Sequence, residues 1–371
     1  MDSNQTYNVF SETNFNKHIT YNITTVTTEP PTRYYEETPL YNVAFILRNI
    51  FIPSIVLIGV AGNSLSICVF TSVHLRSSSS SSFLAALAFA DNVFLLSLLV
   101  TWIDRLSNVL TSEASCQALI YITYIASFLS VWFIVGFTLE RYVAICHPLH
   151  AKMICSSCRE KIGVLILTIF SFVFYNYAIW TSSIAHDNGK YKCVHKEKYL
   201  RLLETFTWVD TFITMFLPFI LIIIMNVKVV IRASAFYRQR RQCLSPKFSE
   251  KIQLRRSMRI KPQMRVTRTL LAVSTTFLIL NLPSHVLRLY TLILYLTENT
   301  QAMLSKELYF LQEIAQLFYY TTFCVNFFLY AAYGKQFKRS LMLMIKPMYF
   351  SRKQNSLHRL ERMSITKATM L

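Results

Sequence analysis

An acidic residue and an arginine stand side by side at one end of a long apolar stretch. Glu140, Arg141 and Tyr142 lie at the end of the apolar run over 117–143. Charged side chains are expensive to place at the edge of a membrane, so they are usually partnered and functional there. We therefore expect Glu140 and Arg141 to form a charged pair at a membrane boundary and to serve a function in that position.

Other apolar stretches carry single polar residues that lipid would reject. The main ones are Asn63, Asp91, Ser130 and Asn326. Amides and hydroxyls often connect packed helices in membranes, which is the simpler interpretation of Asn63 and Ser130. The carboxylate of Asp91 is different, because it needs a cation or a proton to be stable in apolar surroundings. We expect these residues to face the interior of a helix bundle.

The composition is that of a membrane protein. The chain has 371 residues, of which 53% are hydrophobic and 14% aromatic, and the apolar residues form long runs. A helix needs about 20 mostly apolar residues to cross a bilayer. The sequence predicts seven such spans, at 47–73, 83–104, 117–143, 161–182, 205–231, 266–296 and 308–333. The expected fold is an all-α membrane protein, a bundle of seven transmembrane helices.

The net charge of +19 is unevenly distributed. Segment 232–268 carries twelve Lys/Arg against one acid, and the chain from 334 onward carries nine against one. The first 46 residues carry two against five, and Asn4 and Asn22 begin glycosylation motifs there. Because positive charge marks the cytoplasmic side, we expect the amino terminus outside and the carboxy terminus inside. This placement beside spans argues against nucleic acid as a partner.

The chain divides into four expected regions. Residues 1–46 have the composition of a disordered extracellular tail, and the bundle follows over 47–333. Residues 334–346 have the pattern of a short amphipathic eighth helix that contacts membrane lipids on the cytoplasmic side. Residues 347–371 form a cytoplasmic tail. The sequence contains no nucleotide-binding or metalloprotease motif, so we expect no enzyme activity.

Over about residues 45–345 the chain resembles a rhodopsin-like G-protein-coupled receptor. The matching features include Glu140-Arg141-Tyr142, the context Leu87-Ala88-Phe89-Ala90-Asp91 and the segment Asn326-Phe327-Phe328-Leu329-Tyr330. The resemblance implies a multi-pass plasma-membrane receptor that signals to a heterotrimeric G protein when its sixth helix moves outward. It assigns G-protein coupling to Glu140, Arg141, Tyr142, Leu149 and Tyr330.

The resemblance also implies a disulfide and a bound ion. Cys116 lies 25 positions before Arg141, which is the separation found in the family. It is expected to pair with Cys193 in the loop before the fifth span, the alternative being two free thiols. No cofactor is expected apart from an allosteric sodium ion, which the resemblance places at Asp91, Ser130 and Asn326, with Asn63 in support.

Five residues are assigned by the resemblance to the connection between the ligand pocket and the G-protein end. They are Val131, Pro218, Phe277, Asn281 and Pro283. Proline kinks a helix, so Pro218 and Pro283 are candidate hinges. Some positions depart from the family's usual residues, with Asn281 in place of tryptophan, Phe327 of proline and Asn226 of tyrosine. These departures leave the details of the switch open.

Two residues narrow the choice of ligand. Tyr320 stands where light-sensing members carry a Schiff-base lysine, and Thr123 stands where amine receptors carry an aspartate. The outer half of the bundle instead offers polar and aromatic residues that suit a short peptide. The candidates for the ligand pocket are Trp102, Arg105, Thr123, Tyr124, His285, Arg288, Gln312, Gln316 and Tyr320.

The segment Asn281-Leu282-Pro283-Ser284-His285 and the short third loop resemble those of invertebrate neuropeptide receptors, including receptors for FMRFamide-like peptides. The guanidinium of Arg288 would suit carbonyl or carboxylate oxygens of a ligand. A receptor for a lipid or a small acidic ligand is therefore the alternative within this class. A membrane transporter is a further alternative, but the two halves of the chain show no internal repeat.

The carboxy-terminal tail adds two candidate partners. Ser356, Ser364, Thr366 and Thr369 lie among basic residues. Phosphorylation adds negative charge at such positions and can create a docking site. A receptor kinase and an arrestin are the partners that this pattern suggests.

Overall fold

The computed structural model describes residues 39–72, 75, 81–148, 151, 157–187, 189–242, 250–297 and 305–345. The glycosylation motifs at Asn4 and Asn22 lie outside these residues, as do Leu149 and the predicted tail over 347–371. Within the described residues, seven long helical segments pack as a bundle. They are called the first to the seventh helix in chain order.

The first four helices are Pro39–Thr71, Ser81–Ser107, Glu113–Cys146 and Ser157–Phe174, the last of which continues as Tyr177–Thr181. The fifth consists of the α-helix Leu200–Thr211, the π-helix Phe212–Phe216 and the α-helix Leu217–Gln242. The sixth is Glu250–Leu296, and the seventh is Lys306–Tyr333.

The helices have the length and composition of membrane spans. Among the described residues, six are long and apolar enough to cross a bilayer. The seventh helix has 28 residues and is also long enough, but it contains Gln312, Glu313 and Gln316, which reduce its apolar character. It packs against the first, second and sixth helices. The predicted all-α bundle of seven helices is therefore confirmed.

The helix ends differ from the predicted bounds in informative ways. The first helix begins at Pro39, so 39–46 are helical rather than part of a disordered tail. Proline is favourable in the first turn of a helix because N–H groups in that turn have no acceptor within the helix, so the lack of an N–H costs no hydrogen bond. The fifth helix departs from α-geometry immediately before Pro218, which is where the sequence predicts a kink. Such π-segments are frequent at functional sites.

The outer surface of the bundle differs from that of a water-soluble protein, because large apolar side chains are exposed there. Leu57 is 75% exposed and Val173 is 72% exposed, whereas Asp91 and Asn63 are 0% exposed. Lipid tails are as apolar as these outer side chains, so exposing them has no cost in a bilayer. Polar groups, in contrast, must find partners inside the bundle. This arrangement explains why the predicted polar residues converge.

The first and seventh helices approach each other closely at Gly62. A Cβ atom at this position would lie 2.9 Å from Cβ of Phe327, which is shorter than a normal contact. Gly62 therefore makes room for the phenylalanine that stands where the family usually has proline.

A short helix over 335–345 follows Gly334, the residue that ends the seventh helix. Its Phe337 is buried, and the ring lies 5.3 Å from that of Phe70 and 5.6 Å from that of Tyr330. Leu343, in contrast, is exposed. The short helix thus has one apolar contact with the bundle and an apolar surface outside it, in keeping with the amphipathic pattern.

An antiparallel hairpin covers one end of the bundle. It consists of β1, Ser182–Asp187, and β2, Lys190–His195. Gln117 Nε2 of the third helix donates a hydrogen bond to the backbone oxygen of Ser182 at 3.1 Å, which holds the hairpin on the bundle. This end is called the hairpin end, and the opposite end, which carries Arg141, is called the arginine end.

Candidate functional site

A cavity lies within the bundle at its hairpin end. Its volume is about 190 Å³, and the third, fifth, sixth and seventh helices form most of its wall. All of the residues predicted for the ligand pocket except Trp102 line this cavity. They are Arg105, Thr123, Tyr124, His285, Arg288, Gln312, Gln316 and Tyr320. Residues that are far apart in the sequence thus form one continuous surface.

Trp102 is used elsewhere. Its indole Nε1 donates a hydrogen bond to Asn49 Oδ1 at 3.1 Å, and its side chain is not part of the cavity wall. A buried indole N–H usually takes a hydrogen-bond partner, and here the partner is on the first helix. The structure therefore gives Trp102 a role in connecting the first two helices rather than in lining the cavity.

The cavity contains an acidic residue that the sequence analysis missed. Asp210 of the fifth helix lines it, and the hydroxyl of Tyr175 donates a hydrogen bond to Asp210 Oδ1. Arg288 Nη2 lies 3.9 Å from Asp210 Oδ2. The available signal was an acid inside an apolar span, which is the same signal that identified Asp91.

A second ion pair lies on the wall formed by the first and seventh helices. Arg48 Nη1 is 3.4 Å from Glu313 Oε1, and both residues line the cavity. Neither was singled out from the sequence. Nearby, Gln312 Nε2 donates a hydrogen bond to Thr291 Oγ1 at 3.0 Å, which joins the seventh helix to the sixth. The cavity wall therefore presents charges of both signs.

The predicted connector begins at this cavity. Val131 and Asn281 line it, and Phe277 is buried one helical turn from Asn281. Asn281 Nδ2 donates hydrogen bonds to the backbone oxygen of Phe277 at 2.7 Å and to Thr322 Oγ1 at 3.1 Å. The residue that replaces the family's tryptophan thus bonds the sixth helix to the seventh.

Farther from the hairpin end, the predicted polar residues meet around Asp91. Ser130 Oγ donates to Asp91 Oδ1 at 2.6 Å, and Asn326 Nδ2 donates to Asp91 Oδ2 at 2.8 Å. Asn63 Nδ2 donates to the backbone oxygen of Phe323 at 2.9 Å. The Asp91 carboxylate thus joins the second helix to the third and the seventh. None of these side chains is more than 3% exposed.

The chemistry of this cluster fits a small hard cation. Such cations prefer carboxylate, amide and hydroxyl oxygens, and these are the groups that surround Asp91. Within the described residues, the buried Oδ1 of Asn63 accepts no hydrogen bond. The described residues contain no group of three or more His, Cys, Asp or Glu side chains that could hold a metal ion. With a single carboxylate, the cluster suits a monovalent ion better than a divalent one.

The arginine end contains the charged pair that the sequence predicts. Arg141 Nη2 donates to Glu140 Oε1 at 2.9 Å, and the two residues are 8% and 7% exposed. The hydroxyl of Tyr142 lies 3.3 Å from His147 Nε2. Tyr330, which was also assigned to coupling, is 1% exposed and buried beside Phe70. It is therefore inaccessible to a partner in this arrangement of the helices.

Two further contacts hold the sixth helix near the arginine end. Asn226 and Ser274 exchange hydrogen bonds of 2.9 and 3.2 Å, which joins the fifth helix to the sixth. The guanidinium of Arg268 lies over the ring of Tyr333 at 5.7 Å, which joins the sixth to the seventh. Asn226, like Asn281, departs from the family's usual residue and makes a hydrogen bond between helices.

Cys116 of the third helix and Cys193 of β2 form a disulfide, and their Cα atoms are 5.7 Å apart. The prediction of this pair is confirmed. Two residues along β2, His195 is 5% exposed, and burial lowers the pKa of its imidazole to about 4. The disulfide fixes the hairpin to the bundle next to the cavity.

The fold and these sites define the class of protein. Residues 62–330 match the family described as 7 transmembrane receptor (rhodopsin family), and the chain belongs to that family. It is therefore a multi-pass membrane protein of the receptor type. The prediction made from the charged pair and the polar cluster is confirmed at this level.

Among its relatives are receptors named for peptides. The chain is 36% identical over 132 residues to the FMRFamide peptide receptor frpr-18 of Caenorhabditis elegans, which covers 33% of this chain and 30% of that protein. It is 25% identical over 335 residues to the FMRFamide receptor of Drosophila melanogaster, covering 85% and 56%. It is also 25% identical over 314 residues to melanin-concentrating hormone receptor 1 of Rattus norvegicus, covering 81% and 82%. The chain thus spans only part of the length of the two FMRFamide receptors.

Proposed function

We propose that this protein is a plasma-membrane receptor that binds a short extracellular neuropeptide and activates a heterotrimeric G protein. The observation that carries the proposal is the cavity at the hairpin end, whose wall includes the third helix that also bears Glu140 and Arg141. A ligand in the cavity and a protein at the arginine end can then favour the same arrangement of helices. Their binding is reciprocally coupled.

The character of the cavity supports a peptide ligand. Its wall combines tyrosines and glutamines with the ion pairs of Arg48 with Glu313 and of Arg288 with Asp210. A peptide offers backbone amides and polar side chains that can form hydrogen bonds with such a wall. The cavity volume of about 190 Å³ is below the roughly 300–1,000 Å³ of a typical drug-sized site. One end of a peptide would therefore enter, and the remainder would contact the hairpin.

The relatives favour a peptide over the lipid or small-acid alternative, because the two FMRFamide receptors are named for peptides. These names describe peptides with an amidated end that carries no carboxylate.

Signal transmission in the proposal is an outward movement of the sixth helix about Pro283. The movement would release the contacts of Asn226 with Ser274 and of Arg268 with Tyr333. Arg141 would then contact the G protein at the opened arginine end. Tyr330 is buried in the present arrangement, so it would take part only after the helices move.

A sodium ion is proposed to bind at Asp91, with Ser130, Asn326 and Asn63 supplying further oxygen atoms. The ion would supply a positive charge that balances the Asp91 carboxylate. The hydroxyl of Ser130 and the amide of Asn326 already orient that carboxylate, with hydrogen bonds of 2.6 and 2.8 Å. These residues tie three helices together, so a change at Asp91 would alter how the helices move relative to one another.

Orientation and further partners complete the proposal. The basic segments over 232–268 and beyond 334 favour a cytoplasmic arginine end, and the hairpin end then faces outside. Glycosylation at Asn4 and Asn22 would fit that orientation. The short helix over 335–345 would contact membrane lipids, and a receptor kinase and an arrestin would act on the tail.

A peptide screen in cells tests the proposal. Cells expressing the receptor and a G-protein dissociation sensor would be given amidated neuropeptides, including Phe-Met-Arg-Phe amide. The matched controls are the same peptides as free acids and cells without the receptor. We expect a receptor-dependent response to at least one amidated peptide. Responses to a lipid or a small carboxylic acid but to no peptide would contradict the peptide assignment.

A further inference from the structure

We infer that Asp210 is the binding site for a guanidinium group of the ligand, so that the cavity selects a peptide with an arginine side chain at its inserted end. This inference rests on the proposed function in taking the ligand to be a peptide. It adds the chemical group that the cavity recognises and the residue that recognises it.

Asp210 is held in a fixed position at the cavity wall. The hydroxyl of Tyr175 donates a hydrogen bond to Oδ1. Tyr175 is 1% exposed, and its ring lies 5.6 Å from that of Tyr124 in a stacked arrangement and 5.8 Å from that of Phe128. A tightly packed donor restricts the carboxylate to one orientation, which is the preorganisation that a binding site needs.

The carboxylate retains unused capacity to accept hydrogen bonds. Among the described residues, Tyr175 is its one hydrogen-bond donor, and Arg288 Nη2 stays 3.9 Å from Oδ2. That separation exceeds the usual 2.7–3.2 Å of an N–H···O hydrogen bond. A carboxylate has about four acceptor positions. A ligand cation could therefore form short charge-assisted hydrogen bonds that Arg288 does not form.

The surroundings of Asp210 favour guanidinium over other cations. A guanidinium is planar, matches a carboxylate with two parallel donors and stacks on aromatic rings. The wall beside Asp210 includes the rings of Tyr124 and Tyr175. Cations are also attracted to tyrosine faces. The cavity of about 190 Å³ suits a probe as small as one arginine residue with neutral ends.

The cavity has a second carboxylate, which provides a matched control. Glu313 lies 3.4 Å from Arg48, and its side chain is 20% exposed, compared with 16% for Asp210. The two acids therefore differ little in exposure, but Glu313 has a closer cationic partner. Neutralising Glu313 changes the charge of the cavity by the same amount as neutralising Asp210 while leaving the Asp210 carboxylate unchanged.

The test measures the thermal stability of the purified full-length receptor with two probes. Nα-acetylargininamide carries the guanidinium, and Nα-acetylcitrullinamide replaces it with a neutral group of the same shape. A ligand that binds the folded state raises Tm according to its affinity. We expect an apparent affinity about tenfold higher for the arginine probe, since close charge pairs at some interfaces have been measured to contribute this much or more.

Variants of the receptor test whether Asp210 causes the preference for the arginine probe over the citrulline probe. Asp210→Asn should remove it, and Asp210→Ser carries the same expectation if the asparagine variant folds poorly. Glu313→Gln should retain it. Equal affinities in the wild-type receptor, no binding of either probe, an unchanged preference in the Asp210 variants, or its loss in Glu313→Gln would each overturn the inference. If a peptide activated the G protein but the receptor did not prefer the arginine probe, the inference would fail and the proposed function would stand. If the receptor preferred the arginine probe but no peptide activated a G protein, the proposed function would fail and the assignment of Asp210 would stand.

Discussion

Asn281 of the sixth helix donates its side-chain amide to Thr322 Oγ1 of the seventh helix at 3.1 Å. The backbone oxygen of Thr322 accepts a hydrogen bond from Asn326 at 3.4 Å, and Asn326 donates to Asp91 at 2.8 Å. A chain of hydrogen bonds thus runs from the cavity wall to the buried carboxylate. An apolar residue at position 281 could not make the first of these bonds.

Replacing Asn281 with leucine should raise ligand-independent nucleotide exchange. The change removes a hydrogen bond that opposes movement of the sixth helix away from the seventh. Such a bond contributes about 0.5–1.5 kcal/mol, so basal exchange should rise about two- to tenfold. GTPγS uptake by membranes without ligand measures the effect, at matched numbers of receptors on the surface.

Thr322→Val is the matched control for this bond, because it removes the partner and keeps the shape of the side chain. It should raise basal exchange in the same direction, and the double variant should add little to either single change. Unchanged or lower basal exchange in both single variants would contradict a restraining role for the Asn281–Thr322 hydrogen bond.

Asp91→Asn should abolish the sodium dependence of agonist binding. The substitution removes the carboxylate but keeps groups that can bond Ser130 and Asn326, so the bundle should still fold. Competition binding would be compared in sodium and in a bulky organic cation at equal ionic strength. Ser130→Ala, which removes one oxygen and keeps the carboxylate, should weaken the sodium effect less. A sodium effect of normal size in Asp91→Asn would rule out this site.

Reducing the Cys116–Cys193 disulfide, or replacing Cys193 with serine, should destabilise the hairpin end. Loss of a native disulfide typically costs about 2–5 kcal/mol in small secreted domains. The Tm of the purified receptor should therefore fall, and agonist affinity should fall with it because the hairpin lies at the same end of the bundle as the cavity. Cys158→Ser, which removes an exposed free thiol, is the matched control. Equal Tm values for Cys193→Ser and Cys158→Ser would contradict this prediction.

Acidification should destabilise the hairpin through His195. Burial lowers its pKa to about 4, whereas an unfolded histidine titrates near 6.5. Between these two pH values the unfolded chain binds a proton at His195 that the folded hairpin does not bind. The stability that neutral His195 contributes is therefore fully present above about pH 6.5 and is lost progressively as the pH falls to about 4. Within this window, each pH unit of acidification lowers the free energy of unfolding by up to about 1.4 kcal/mol.

The measurement is the Tm of the purified receptor between pH 7.5 and 4.5. His195→Gln should reduce the pH dependence, because glutamine does not titrate. His186→Gln alters the other strand of the same hairpin and should leave the dependence as in the wild type. If His195→Gln and wild type lost stability in parallel, the effect would belong to other groups.

The sequence predicted the bundle, the charged pair and the cluster around Asp91 because each follows from one physical rule. Apolar runs of sufficient length must span the membrane, and a polar residue within them must face inward and find a partner. Asn63, Ser130 and Asn326 obey that rule. The cavity wall was largely predicted for the same reason, since its polar residues lie on the inner faces of the spans.

The remaining features depend on relationships that no single span reveals. Glu313 was missed because its significance lies in Arg48, which is on another helix. The position of Asp210 inside an apolar span was a signal, but its place beside Arg288 depends on how two helices pack. Trp102 was placed in the cavity because its type suited a ligand, but its orientation depends on the neighbouring helix. The early start of the first helix and the π-segment before Pro218 likewise reflect local geometry rather than hydrophobic pattern.

The central claim is that a peptide at the hairpin end controls a G protein through Arg141. The most direct measurement is GTPγS uptake driven by the activating peptide in membranes with wild-type receptor, Arg141→Ala, or the exposed-arginine control Arg159→Ala, together with peptide binding to each. We predict that all three bind the peptide, that wild type and Arg159→Ala drive exchange, and that Arg141→Ala drives little. Normal exchange in Arg141→Ala, or no peptide-driven exchange in the wild type, would contradict the claim.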